Sequence, residues 1–218
     1  MDAYRAFVER LAALPGSPVA FNPYAGAGAA ARRDNLALYL ERIAARRPRV
    51  LLLGEAPGYR GCGVTGVPFT SAAVLLGEPS PFGLFGATTG FRAEHDRGAP
   101  QREATATILW QTLIALDCLP LLWNACPLHP HRPGEQASNR PPTAAEVMVG
   151  RPFVETLLAL YRIERVVAVG RKAAAALDAW GIAAAAVRHP GHGGKAAFVS
   201  RLEELGIGHE GSASECKL

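Results

Sequence analysis

At four places in this chain, reactive side-chain types stand at the ends of short apolar runs. Glu55 follows VLLLG, Asn124 closes PLLWN, Arg171 and Lys172 follow RVVAVG, and His189 stands in RHPG after AAAV. A carboxylate and an imidazole can carry or orient a proton, an amide is donor and acceptor at once, and a basic pair suits an anion. The stretch from Gly54, GEAPGYRGCGVTGVPFTS, adds glycines, prolines and one aromatic residue, Phe69, at the mouth of the first run. Each of these also has a purely structural reading. Glu55 can cap a glycine-rich turn, Asn124 can serve as a turn residue where a strand ends, and His189 before Pro190 can be a satisfied structural histidine. Gly170-Arg171-Lys172 can be a tight turn with a solvated basic face, and Phe69 can be core.

The elements that must position them alternate. After Pro48 the apolar runs RVLLLG, PLLWN, RVVAVG and AAAVRHP are separated by the helical stretches EATATILWQTLIAL, TAAEVMVGRPFVETLLAL and RKAAAALDAW, and GGKAAFVSRLEEL follows the last run. Runs apolar throughout suit strands covered on both faces, and helix-length connections suit parallel pairing. The predicted fold class is therefore α/β, three-layer α/β/α with a central four-stranded parallel sheet. In an open parallel sheet ligands bind in the crevice beyond the carboxyl ends of the strands, and all four places above lie there.

Upstream, Tyr4, Phe7, Val8 and Leu11 recur at helical spacing, which predicts a helix ending near Pro15-Gly16. A second helix, with Asp34 as its predicted N-cap, carries Leu36, Leu40 and Ile43 until Arg47-Pro48 stops it. Thr143 and Glu146 have capping-box spacing, whereas Gly150 and Pro152 predict a kink or restart in that helix. The segments from Gly77 to Pro100 and from Pro127 to Pro142 are long, polar and rich in Pro and Gly, which marks them as functional loops. The chain shows no internal repeat.

At 218 residues the length suits one domain, expected over residues 1–218, with amino-terminal helices to residue 47, core motifs over 48–205 and a flexible tail from Gly208 to Leu218. The formal net charge of +4 fits a polyanionic partner, and equally fits proteins without one. The four cysteines, Cys62, Cys118, Cys126 and Cys216, form no CxxC and no regular spacing, so neither a disulfide scaffold nor a metal site is signalled. No stretch approaches the roughly 18 uninterrupted apolar residues of a membrane span, and the amino terminus lacks the layout of a secretory signal. A cytoplasmic location is expected.

GEAPG followed by TGVPF, then an Asn closing a second apolar strand, then HPG at a fourth, resembles the uracil-DNA glycosylase superfamily. The resemblance spans about residues 48–205 and is nearest the branch whose first motif reads GEAPG; WNACPLHPHRP and the following NRPPT resemble that branch's uracil-recognition loop. It implies an enzyme that flips deoxyuridine out of DNA and hydrolyses its N-glycosidic bond, with DNA as partner, a monomer, and no metal or diffusible cofactor. It also implies roles. The backbone at Glu55, Ala56 and Gly58 lines the pocket, Glu55 positions water, Phe69 stacks on uracil, Asn124 reads its edge, and His189 donates toward O2. Arg171, Lys172, Lys195 and the loop Gly191, His192, Gly193 hold phosphates near helix starts.

The chain also departs from that family. Ala56 stands where the best-studied branch has an Asp, which leaves water activation to Glu55 or to no side chain. The GEAPG branch often carries an iron–sulfur cluster with an amino-terminal CxxC, and this chain has no cysteine before Cys62. Gly58 replaces a bulky tyrosine that elsewhere excludes a 5-methyl group, leaving selectivity to Phe69 or Tyr59. GHGGK after His189 offers no large apolar wedge, a part left to His192 or to the His- and Arg-rich loop from Pro127 to Pro142. Two other readings stand beside the glycosylase: a binder of uracil-containing or damaged DNA without turnover, and an unrelated α/β nucleotide-binding enzyme. The last lacks both GxGxxG and a GK[ST] phosphate loop.

Overall fold

The structure is a computed structural model and describes residues 3–93, 100–191 and 193–208. Helix α1 (Ala3–Ala12) leads through a two-residue strand β1 (Ala20–Phe21) to α2 (Ala30–Ala44) and strand β2 (Val50–Gly54). Two short helices, α3 (Cys62–Thr65) and α4 (Ala72–Leu76), precede α5 (Ala104–Ala115), β3 (Leu121–Asn124), a short β4 (His129–Pro130) and α6 (Ala144–Tyr161). Then come β5 (Arg165–Val169), α7 (Arg171–Ala179), β6 (Ala185–Val187) and α8 (Lys195–Glu204).

The four apolar runs form one parallel sheet of order β3-β2-β5-β6, as their unbroken hydrophobicity predicts. Every residue of β2 is buried, so both faces of the central strand are covered. Phe7 of α1 packs edge-on against Trp123 of β3 and Phe153 of α6, while Phe85 meets Trp110 of α5 edge-on and stacks on Tyr39 of α2. The outer edge of β3 is closed by Tyr39, whose hydroxyl accepts the Leu122 N–H at 2.9 Å. Burial raises the Tyr39 phenol well above its ordinary range, so it stays neutral in that role.

Three expectations are corrected. Asp34 is not the N-cap of α2, which begins four residues earlier at Ala30 behind a 3-10 turn at Ala27–Ala29. The run of alanines there favours helix without a capping side chain, and Asp34 instead pairs with Arg92 at 2.7 Å. Helix α6 runs through Gly150 and Pro152 as one element, its start fixed by the predicted capping box of Thr143 and Glu146 and its inner face by Phe153, Val154 and Leu157. Gly150 is there because α6 lies against the chain after β3: a methyl group would overlap the Ala125 carbonyl. The described part of the Gly77 to Pro100 loop is a packing element, because Leu84, Phe85 and Phe91 are buried and Arg42 donates to the carbonyls of Leu84 and Thr89.

No described helix is long and apolar enough to cross a membrane. The expectations for His192 and for most of the tail, Cys216 included, lie outside the described residues.

Candidate functional site

A cleft of about 540 Å³ opens beyond the carboxyl ends of β2, β3 and β6, where the topology of the sheet places a ligand. Glu55, Ala56, Gly58, Phe69, Asn124 and His189 all line it. Six residues from four separate stretches of the sequence thus face one space.

The meeting of Phe69 and Asn124 rests on Gly54. Gly54 pairs with Asn124 in the β2–β3 register, and a methyl group there would overlap the Phe69 ring and stand 2.7 Å from Asn124 Oδ1. Only a residue without a side chain lets ring and amide share that strand end. Phe69 holds a left-handed backbone conformation at φ 53°, uncommon for an aromatic residue. Two neighbours hold it: the Trp110 indole N–H donates to its carbonyl at 3.0 Å, and the buried Thr65 hydroxyl donates to the next carbonyl, Thr70, at 3.1 Å.

His189 has a defined tautomer. The Gly191 N–H donates to Nδ1 at 3.1 Å, so that nitrogen is an acceptor and the neutral ring carries its proton on Nε2. The tight turn requires small residues around it. A methyl group on Gly191 would stand 3.1 Å from Nδ1, and one on Gly194 would overlap the His189 carbonyl.

Glu55 is half-buried. Burial raises its carboxyl above the ordinary value, and the positive charge of Lys172 offsets part of that rise. Lys172 and Arg171 are themselves exposed at the start of α7, and Gly193 and Lys195 are exposed at the start of α8. These four do not line the cleft, unlike the six above.

Several contributors escaped the sequence reading. Glu103 caps α5, accepting the N–H groups of Thr105 and Ala106 at 2.9 and 2.6 Å, and it lines the cleft with Thr105. Its signal was its place directly before an apolar helix. Asn139, in the NRPPT stretch, accepts the Tyr59 N–H at 3.1 Å and faces Gly58, where a methyl group would meet its amide at 3.7 Å. Arg140 lines the cleft and forms a two-pronged ion pair with Glu146 at 2.6 and 2.8 Å.

Within the loop from Pro127 to Pro142, the two histidines are buried, so the wedge part offered to that loop does not fall to them. His129 is buried with Nδ1 2.8 Å from the Pro57 carbonyl and Nε2 3.0 Å from the Gln136 carbonyl, and His131 is buried against it. Arg132, exposed, is paired with Glu135.

Among the described residues, Cys62 and Cys126 do not fit an iron–sulfur cluster. Cys62 lies against the Tyr24 hydroxyl, Cys126 against the Leu128 carbonyl, and burial pushes both thiols up to about 12. Among the described residues no group of three or more His, Cys, Asp or Glu side chains could hold a metal ion.

With fold and cleft in place, the comparisons with known proteins define the class. A family model described as "Uracil DNA glycosylase superfamily" matches residues 41–200, and the chain belongs to that superfamily. Among solved structures, SMUG2 of Pedobacter heparinus superposes with a TM-score of 0.63 at 15% identity, over 97% of this chain and 100% of that one, and so shares its fold. The UNG of Nitratifractor salsuginis overlaps at a TM-score of 0.40 and 16% identity over 79% of each chain. Among curated proteins none matches this chain.

Proposed function

We propose that this protein is a monofunctional uracil-DNA glycosylase that extrudes deoxyuridine and hydrolyses its N-glycosidic bond, releasing uracil and leaving an abasic site for base excision repair. The observation that carries this reading is the convergence of Phe69, Asn124 and His189 on one cleft at the strand ends. The chain works as a monomer in the cytoplasm, on single- or double-stranded DNA.

Each side chain then has a task. Phe69 offers a face to the base, and the Asn124 amide donates to O4 while accepting from N3–H, a pattern cytosine does not match. As the bond from C1′ to N1 breaks, negative charge spreads onto the base, and the Nε2–H of His189 donates to O2. A positioned donor of this kind typically contributes about 3 kcal/mol to the transition state. Water adds to C1′ from the side of Glu55, whose raised proton affinity suits it to orient that water and take its proton. Arg171, Lys172 and Lys195, with the backbone at Gly191 and Gly193, hold the flanking phosphates, which offsets part of the few kcal/mol of unstacking.

An oligonucleotide with a single uracil, treated with the protein and then alkali, tests the reading: strand cleavage at that position is expected, and an intact strand would overturn it. A second reading, a binder without turnover, draws on Ala56, which leaves Glu55 as the carboxylate nearest the motif. An intact strand together with a gel shift specific to the uracil strand would favour that binder.

Gly54→Ala separates the site from the scaffold. The atoms in its way are side-chain ends that can swing aside, so the melting temperature is expected to stay within a few degrees while excision falls by about tenfold or more, the scale of an ångström-sized misplacement. Unchanged excision would show that Phe69 and Asn124 need not meet over Gly54.

A further inference from the structure

Beyond the Tyr59 side of the main cleft lies a second one, of about 400 Å³, that the reading above leaves unused. Phe21, Arg32, Tyr59, Val64, His129 and Gln136 define its walls, and among the described residues no carboxylate lines it. Its aromatic wall is backed by a cation of its own: the Arg32 guanidinium lies 5.8 Å from the Phe21 ring centre, while the guanidinium 5.2 Å from Tyr59 is that of Arg60, which lines the first cleft. These are the parts of a platform for a nucleobase and its phosphate.

The parts are fixed in place. Arg32 donates through Nε to the Pro23 carbonyl, and Gly66 packs against its backbone so closely that a methyl group would overlap it. Phe21 sits in β1, paired with His129 of β4. His129 in turn ties the second cleft to the lip of the first, since one ring nitrogen faces the Pro57 carbonyl and the other faces that of Gln136. Tyr59 lines both clefts, and its N–H is held by Asn139.

We propose that the second cleft binds the base of the nucleotide next to the extruded one, stacked on Phe21 and Arg32, so that the protein grips two consecutive nucleotides of a single strand. The assignment rests on the glycosylase reading for the occupant of the first cleft. An anionic, planar ligand is favoured by the basic and aromatic walls, and the shared Tyr59 wall makes it a neighbour of the first ligand rather than an independent molecule.

The test uses single-stranded oligonucleotides with one uracil, whose 5′ or 3′ neighbour is either a normal nucleotide or a tetrahydrofuran spacer lacking a base. With wild-type protein, the spacer on one side is expected to raise KM about tenfold with kcat unchanged, the scale of losing one base–aromatic stack. Phe21→Ala is expected to raise KM similarly on the natural strand and to abolish the effect of the spacer. Phe21→Leu, which keeps apolar bulk but not the flat face, should match it and guards against a folding defect. A wild type indifferent to both spacers, or a Phe21→Ala protein as sensitive to them as wild type, overturns the proposal while leaving uracil excision standing. If no uracil is excised at all, the glycosylase reading fails instead, and fluorescence anisotropy with the uracil-free strand decides. Binding about tenfold weaker in Phe21→Ala and Phe21→Leu sustains the second cleft; equal binding overturns it.

Discussion

His189→Ala and Asn124→Ala are each expected to lower uracil excision by about a hundredfold or more, the loss expected when a preorganised donor to a leaving group is removed. The two should differ in how the loss divides. In the proposed function the Nε2–H of His189 meets charge that is complete only as the glycosidic bond breaks, so its removal should lower kcat with little change in KM. In the proposed function Asn124 pairs with the base before and during the reaction, so its removal should also raise KM. His189→Gln, which can present an amide N–H, should fall between wild type and alanine. Single-turnover rates on a single-uracil oligonucleotide check all three. Should His189→Ala raise KM alone, His189 would be binding the ground state, and its place as the leaving-group donor would be lost.

What makes these two residues legible from sequence is the sheet itself. A strand buried on both faces must be apolar there, so VLLLG, LLWN and the buried VAV that ends β5 stand out, and their carboxyl ends mark the crevice without further information. Asn124 closes one such strand and Glu55 directly follows another, whereas His189 stands two residues beyond the shorter, partly exposed β6, after Arg188. The other cleft residues come from loops, where no period exists to place them. Asn139 and Arg140 reach the cleft because the loop from 127 to 142 folds back on a two-residue pairing of β1 with β4. A strand that short leaves no alternation to detect. The segment after α1 supports this arrangement: buried Asn22 donates to the carbonyls of Leu11 and Leu14, and the Val19 carbonyl accepts the His131 N–H and an Arg140 N–H. The amino-terminal region thus braces a wall of the cleft, which its plain helical pattern does not reveal. Gly150 shows the opposite error, where a strong local signal for a break yields to a tertiary cause. A glycine two residues before a proline weakens a helix, but here the glycine permits contact with the Ala125 carbonyl and the helix continues.

Arg140→Ala is expected to cost about 3 kcal/mol of stability at pH 7, the scale of stranding one member of a mostly buried ion pair. The guanidinium does more than pair with Glu146, for it also donates to the carbonyls of His131, Val19 and Pro141. Both side chains are largely out of water, at 20% and 15% exposure, so solvent screens the pair only in part. The Arg140 hydrogen bonds, with further help from Thr143, lower the Glu146 carboxyl from 4.5 to about 2. That depression sets the sign of the pH effect. The contribution of Glu146 to stability is fully present above its unfolded value and is lost as the pH falls through about 2, a swing on the order of 3 kcal/mol from this group alone. Urea denaturation of the wild type at several pH values between 7 and 2 should therefore show a loss that Arg140→Ala largely lacks, because the variant has already lost the pairing at neutral pH. Parallel acid limbs in the two proteins would mean that the depression of Glu146 comes from the Thr143 cap and not from Arg140. The same substitution should also loosen the cleft wall, since Arg140 holds the loop that carries Asn139 and hence the Tyr59 N–H. Excision by folded Arg140→Ala protein should accordingly fall below wild type at a pH and temperature where both are fully native.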